Sequence, residues 1–125
     1  MKFIKGTFFI QNGKYRTGEP YRFVRVEGWI STDYVYGFFK PINPMTQKVK
    51  NVWRATDLIS GMYVWEAKTR RECVEFIESH PNEIAHAKTE PEFYDARARM
   101  VEQLKASTEA VDKKILKNYE GDQNA

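Results

Sequence analysis

Met62-Tyr63-Val64-Trp65-Glu66-Ala67-Lys68-Thr69-Arg70-Arg71-Glu72-Cys73-Val74-Glu75-Phe76-Ile77 is the stretch where the chain changes period. Up to Ala67, aliphatic and aromatic side chains alternate, Met62 and Val64 against Tyr63 and Trp65, as on the two faces of a strand. From Thr69 onward the apolar residues Cys73, Val74, Phe76 and Ile77 recur at helical spacing. Thr69 with Glu72 three residues on has the spacing of a capping box, and Pro81 disfavours helix just before it, so a helix is predicted over 69–79. Strands precede this junction and helices follow it.

Working back from Met62, Ser60-Gly61 separates a strand over Val49–Ile59. Pro41, Asn43 and Pro44 separate that strand from one over Tyr34–Lys40, because proline cannot donate to a ladder. Ser31-Thr32-Asp33 makes the turn from a strand over Tyr21–Ile30. The first strand, Lys2–Gln11, ends at the turn dipeptide Asn12-Gly13, with a loop over Gly13–Pro20. Five strands joined by short turns predict an antiparallel meander. Gly28 and Gly37 fall inside strands and predict bulges or close backbone approach.

Working forward, His80–Lys88 reads as a polar linker with Ile84 as its anchor. Thr89-Glu90-Pro91-Glu92 repeats the helix-start pattern, with proline in the first turn where its missing N–H is harmless. No Gly or Pro follows until Gly121, so one helix is expected over 90–119, about 45 Å long at 1.5 Å per residue. Phe93, Met100, Leu104, Val111, Ile115 and Tyr119 form its apolar stripe. A strand of six residues spans only about 20 Å, so such a helix overhangs its sheet. The exposed remainder, Val111, Ile115 and Tyr119, with Leu104 at its edge, is then expected to pack on a second copy in a homo-oligomer. The alternative is a helix that bends back over 69–79. The expected class is α+β: a five-stranded antiparallel sheet followed by two helices, the C-terminal one long. It forms a single domain over 1–125, with the sheet in 1–67, the helical segment in 68–119 and a polar tail over 120–125. The expected core is Ile4, Phe8, Ile10, Val24, Val26, Ile30, Val35, Phe39, Val52, Val64, Cys73, Phe76, Ile77, Met100 and Leu104.

Charge divides along the same line. Residues 1–60 carry ten Lys/Arg against four Asp/Glu, and residues 61–125 carry ten against thirteen. The sheet segment, 1–67, also holds a face of Tyr21, Phe23, Trp29, Tyr36, Phe38, Trp53 and Trp65, opposite an aliphatic face of Val24, Val26, Ile30, Val35 and Phe39. The aliphatic face is the natural floor for the helices. The aromatic face reads either as a surface that stacks rings and neutralises phosphate or as a second core.

A single cysteine excludes an intramolecular disulfide, and Cys73 sits at an apolar helical position as a small buried hydrophobe. One cysteine and two histidines provide no metal-site spacing, and no nucleophile, phosphate-loop or dinucleotide motif occurs. No metal, cofactor or catalytic residue is assigned, and the expectation is a non-enzymatic binding protein. No signal-peptide pattern opens Met1–Gln11 and no apolar run approaches the ~20 residues of a membrane span, so a cytoplasmic location without membrane contact is expected. The expected ligand is a small anionic nucleotide held where the basic sheet meets the start of the 90–119 helix. Arg54, Arg97, Arg99 and Arg25 are the candidate phosphate contacts, and Trp53, Trp65 and Phe93 the candidate stacking rings.

A small antiparallel sheet followed by two helices, the last long and oligomer-forming, resembles in architecture the phage Thoeris anti-defence sponge proteins. The resemblance covers the whole chain. It implies a small oligomer that sequesters a cyclic nucleotide signal without cleaving it, through aromatic stacking on the base and arginine contacts to phosphate. The counterparts it implies are drawn from Arg54, Phe76, Asn82, Arg97 and Arg99. Two other classes remain open: a single-stranded nucleic-acid binder, with steep salt dependence, and a protein-interaction or inhibitor module using the aromatic face.

Overall fold

The computed structural model describes residues 1–11 and 22–124, with side chains as far as Gly121. The Asn12-Gly13 turn, the loop over Gly13–Pro20, and Tyr21 lie outside the described residues. Strands β1 (Phe3–Gln11), β2 (Phe23–Ser31), β3 (Tyr36–Phe39), β4 (Trp53–Asp57) and β5 (Tyr63–Ala67) form one antiparallel sheet in the order β1-β2-β3-β4-β5. Helices α1 (Arg70–Ser79), α2 (Pro81–Ala87), α3 (Pro91–Ala106) and α4 (Ala110–Asn124) follow. The α+β class and the five-stranded meander are as the pattern predicts.

The helical half divides more finely than its pattern. α1 starts where expected, with the Thr69 hydroxyl accepting from the Glu72 N–H at 3.1 Å, and it ends before Pro81. The linker after it is helical: Pro81 occupies the first turn, and Ile84 packs against the core. Thr89 does not cap α3; its hydroxyl donates to the His86 carbonyl at 2.6 Å, leaving Glu90 at the cap position. The single helix over 90–119 is broken at Ser107-Thr108-Glu109. Ser107 has extended backbone, its hydroxyl accepts from the Glu109 N–H at 3.2 Å, and the same hydroxyl donates to Asp112 at 2.5 Å. A serine that bonds nearby backbone offers the chain an exit from helix that needs neither Gly nor Pro. After the break α4 turns back against α3 and runs on through Glu120, so the expected polar tail is mostly helix.

The break also changes the destination of the apolar stripe. Leu104 and Ile115 are buried, and Val111 packs beside them, in a core made with Phe8, Ile30, Phe39 and Met100 of the same chain. The overhang that called for a second copy is therefore not present. The two sheet faces are covered by different helices. α3 and α4 lie on the aliphatic side. α1 and α2 lie on the aromatic side, over Tyr36, Phe38 and Ala55, with Trp29, Trp53 and Phe3 at the margin. Cross-strand pairing places Trp29, Phe38, Ala55 and Trp65 on this one face. Most of the aromatic face is thus a second core, although Trp65 stays 40% exposed, Phe23 packs with the aliphatic-side core and Val35 with the aromatic one, and the expectation that both helices share the aliphatic floor is corrected. Cys73 is fully buried there, its thiol donating to the Trp53 carbonyl at 3.4 Å, and burial pushes its pKa up. Of the expected core, Val24 is the clear exception at 38% exposed.

Candidate functional site

The cavity that gathers the most chemistry lies at the helix–sheet junction. The α2–α3 turn brings Lys88, α3 brings Phe93 and Arg97, and α4 brings Asn118 and Tyr119. The end of β4 supplies Asp57, and the β2–β3 turn supplies Tyr34. Its volume is about 190 Å³, and it is open to solvent on one side. A second cavity of about 180 Å³ shares Asp57, Lys88 and Phe93 as walls and continues toward α2.

Local chemistry explains each position. Asp33 Oδ1 accepts from the Ser31 hydroxyl at 2.5 Å and from the Val35 N–H at 3.2 Å, closing a turn that leaves Tyr34 left-handed at φ 59°. A non-glycine residue there costs about 1–2 kcal/mol, and such strain concentrates at functional positions. Arg97 lies against three rings, its Cζ 4.9 Å from the centroid of Tyr94, 5.5 Å from Tyr119 and 5.7 Å from Phe93. Held in this way, the guanidinium keeps its planar fork available for a phosphate or carboxylate.

Asp57 is the buried floor. Its side chain is 5% exposed; Oδ2 accepts from the Ser60 hydroxyl at 2.6 Å, and the Lys88 ammonium stands 3.8 Å from Oδ1. Burial raises the Asp57 pKa above the ordinary 3.8, against the opposing pull of Lys88, Ser60 and Arg97. The folded state therefore binds this proton more tightly than the unfolded chain does. The resulting stability is fully present below pH 3.8 and is lost as pH rises through the raised folded value. Urea unfolding from pH 4 to 8 is expected to show wild-type stability falling with pH relative to Asp57→Asn. Parallel pH profiles would contradict this.

The predicted site residues do not gather in one place. Arg97 and Phe93 meet in the junction cavity, joined by Tyr119, which the stripe had assigned to an interface. Arg54 and Arg25 line instead a separate groove of about 570 Å³ on the sheet, beside Val24, Lys40 and Val49. Both are engaged there: Arg54 with Glu66 at 2.8 Å, and Arg25 with Asp112 at 2.7 Å and Glu109 at 3.1 Å. Trp65 stacks on Phe76 with centroids 3.9 Å apart, and Phe76 in turn stacks on His80 at 4.1 Å. Trp53 borders Lys40 and Arg70. Arg99 is exposed and lines neither junction cavity. The convergence expected of Arg54 with Arg97 or Arg99 thus does not occur; Lys88 stands where Arg54 was expected. Asp57 carried a faint signal, a lone carboxylate in the strand pattern Ala55-Thr56-Asp57-Leu58-Ile59; Lys88, in a polar linker, carried none.

Among the described residues no group of His, Cys, Asp and Glu is arranged to hold a metal ion, and no helix is long and apolar enough to cross a membrane. No protein-family model matches the chain, and no curated protein and no solved structure is significantly similar to it.

Proposed function

We propose that the protein binds a small anionic ligand with an aromatic ring, of the nucleotide class, in the junction cavity and holds it without turnover. The observation that carries this reading is the set of cations and rings lining one cavity, Arg97 and Lys88 with Tyr34, Phe93 and Tyr119. A cavity of about 150 Å³ admits a benzene, so about 190 Å³ accepts one ring system and leaves the charged remainder at the rim. Stacking contributes about 1–3 kcal/mol per base, and Arg97 meets phosphate outside the slot. Burial of Tyr36 and Phe38 beneath α1 and α2 favours this reading over a single-stranded nucleic-acid platform, which needs a row of open rings. Sequestration of a cyclic nucleotide, as in the sponge proteins that the architecture resembles, is the most specific form of the proposal.

Calorimetry with linear and cyclic mononucleotides and dinucleotides tests it. At least one is expected to bind with a Kd of micromolar order and to be recovered unchanged after prolonged incubation. Arg97→Ala is expected to weaken binding at least about tenfold, or about 1.4 kcal/mol, while Arg99→Ala leaves it unchanged. Failure of every nucleotide to bind below millimolar would overturn the reading. So would loss of affinity in Arg99→Ala equal to that in Arg97→Ala.

A further inference from the structure

Asp57 is a carboxylate with spare acceptor capacity in a place that penalises it. A carboxylate has about four acceptor positions; the Ser60 hydroxyl occupies one of them, on Oδ2, and the Ser60 backbone N–H a second. Lys88, 3.8 Å from Oδ1, is an ion-pair neighbour and no more. Asp57 borders both junction cavities. A carboxylate 95% withdrawn from solvent whose remaining acceptor positions go unfilled forgoes hydrogen bonds that a water-exposed one would make. A bound donor would restore them.

We infer that Asp57 determines the specificity of this pocket by accepting paired N–H donors from the ring edge of the ligand, which makes a guanine nucleotide the preferred ligand class. The inference rests on the nucleotide reading of the pocket and adds the choice of base. Guanine's amide and neighbouring amine present two parallel N–H donors, the same fork by which a guanidinium engages a carboxylate. The acceptor positions that Ser60 leaves on the two carboxylate oxygens form the matching pair. Adenine offers a ring-nitrogen acceptor where guanine has its amide N–H, and hypoxanthine lacks the amine. Asp57 forms the floor with Lys88 beside it, the rings of Phe93 and Tyr119 line the same cavity, and Arg97, held against both rings, is the cation left for the phosphate.

The test is calorimetry of the wild type with guanosine, inosine and adenosine monophosphates, repeated with Asp57→Asn. Guanosine monophosphate is expected to bind at least about tenfold more tightly than either of the others, since a site that hydrogen-bonds a donor rejects the analogue without it. Asp57→Asn, whose amide turns one acceptor into a donor, is expected to abolish that preference. Wild-type binding of all three with equal affinity, or preference for adenosine monophosphate, overturns the role of Asp57 while leaving the pocket as a nucleotide site. Binding of none below millimolar overturns the pocket itself. The wild-type comparison decides the matter even if Asp57→Asn does not fold, and a guanine preference that persists in a folded Asp57→Asn variant also overturns the inference.

Discussion

Gly28→Ala is expected to cost at least about 3 kcal/mol of stability, the upper end of what overpacking normally costs. A Cβ at residue 28 would stand 2.1 Å from the Phe38 carbonyl oxygen and 3.1 Å from both the Phe38 carbonyl carbon and the Phe39 Cβ. Most of these are backbone atoms of β3, so no side-chain rotation relieves the contact, and β3 itself must shift. That strand is held to β2 by the pairs Trp29↔Phe38 and Ile30↔Gly37. It also places Phe38 in the core under α1 and Phe39 in the core under α3 and α4, so moving it loosens both. Gly121→Ala is the control: nothing lies within 4 Å of the added methyl, and in a helix it should be neutral or stabilising by up to about 1 kcal/mol. Denaturant unfolding of both variants is the measurement. A Gly28→Ala protein within about 1 kcal/mol of wild type would show that the close approach of β2 and β3 is not a structural requirement.

The second large effect is asymmetric. The Arg25 guanidinium bonds Asp112 through both of its terminal nitrogens, at 2.7 and 3.3 Å, and reaches Glu109 at 3.1 Å, with its Cζ 4.0 Å from the Phe9 ring centroid. This clasp fixes the start of α4 to the β1–β2 hairpin, and the Asp112 hydrogen bond raises the Arg25 pKa further. The side chain of Arg25 is 26% exposed, whereas that of Asp112 is wholly buried. Removing Arg25 therefore strands a buried carboxylate with only Ser107, which costs about 3–5 kcal/mol. Removing Asp112 leaves a cation that can turn to Glu109 and water, so the loss should be nearer 1–2 kcal/mol. Thermal unfolding should show Arg25→Ala melting well below Asp112→Ala. Equal melting temperatures, or the reverse order, would contradict the burial argument.

Gly28 was already visible in the chain as a glycine inside a strand pattern, and Thr69 with Glu72 marked the start of α1 because a side-chain cap is local. Pro81 placed the end of α1 for the same reason, since its effect reaches only the preceding residue. Ser107 escaped notice because its hydroxyl ends a helix only when Asp112 and the Arg25 clasp make the break worthwhile, and Arg25 lies more than eighty residues earlier. Thr89 showed the opposite error, a capping pattern whose hydroxyl was drawn to the His86 carbonyl instead.

The candidate site shows the same division. Arg97 and Phe93 are one turn apart on a helix, so periodicity alone predicts that they share a face, and they do line one cavity. Their partners Asp57, Lys88 and Tyr34 come from a strand end and two turns, and nothing in the sequence specifies where those loops meet. What the sequence by itself determined is what depends on neighbours within a few residues: strand alternation, turns, helix starts, and the glycine that permits a close approach. Which helix covers which face, where α3 ends, and which cation shares the cavity with Arg97 were decided only in the tertiary structure. Those outcomes depend on burying two apolar faces of one sheet at once, and that requirement couples residues from every part of the chain.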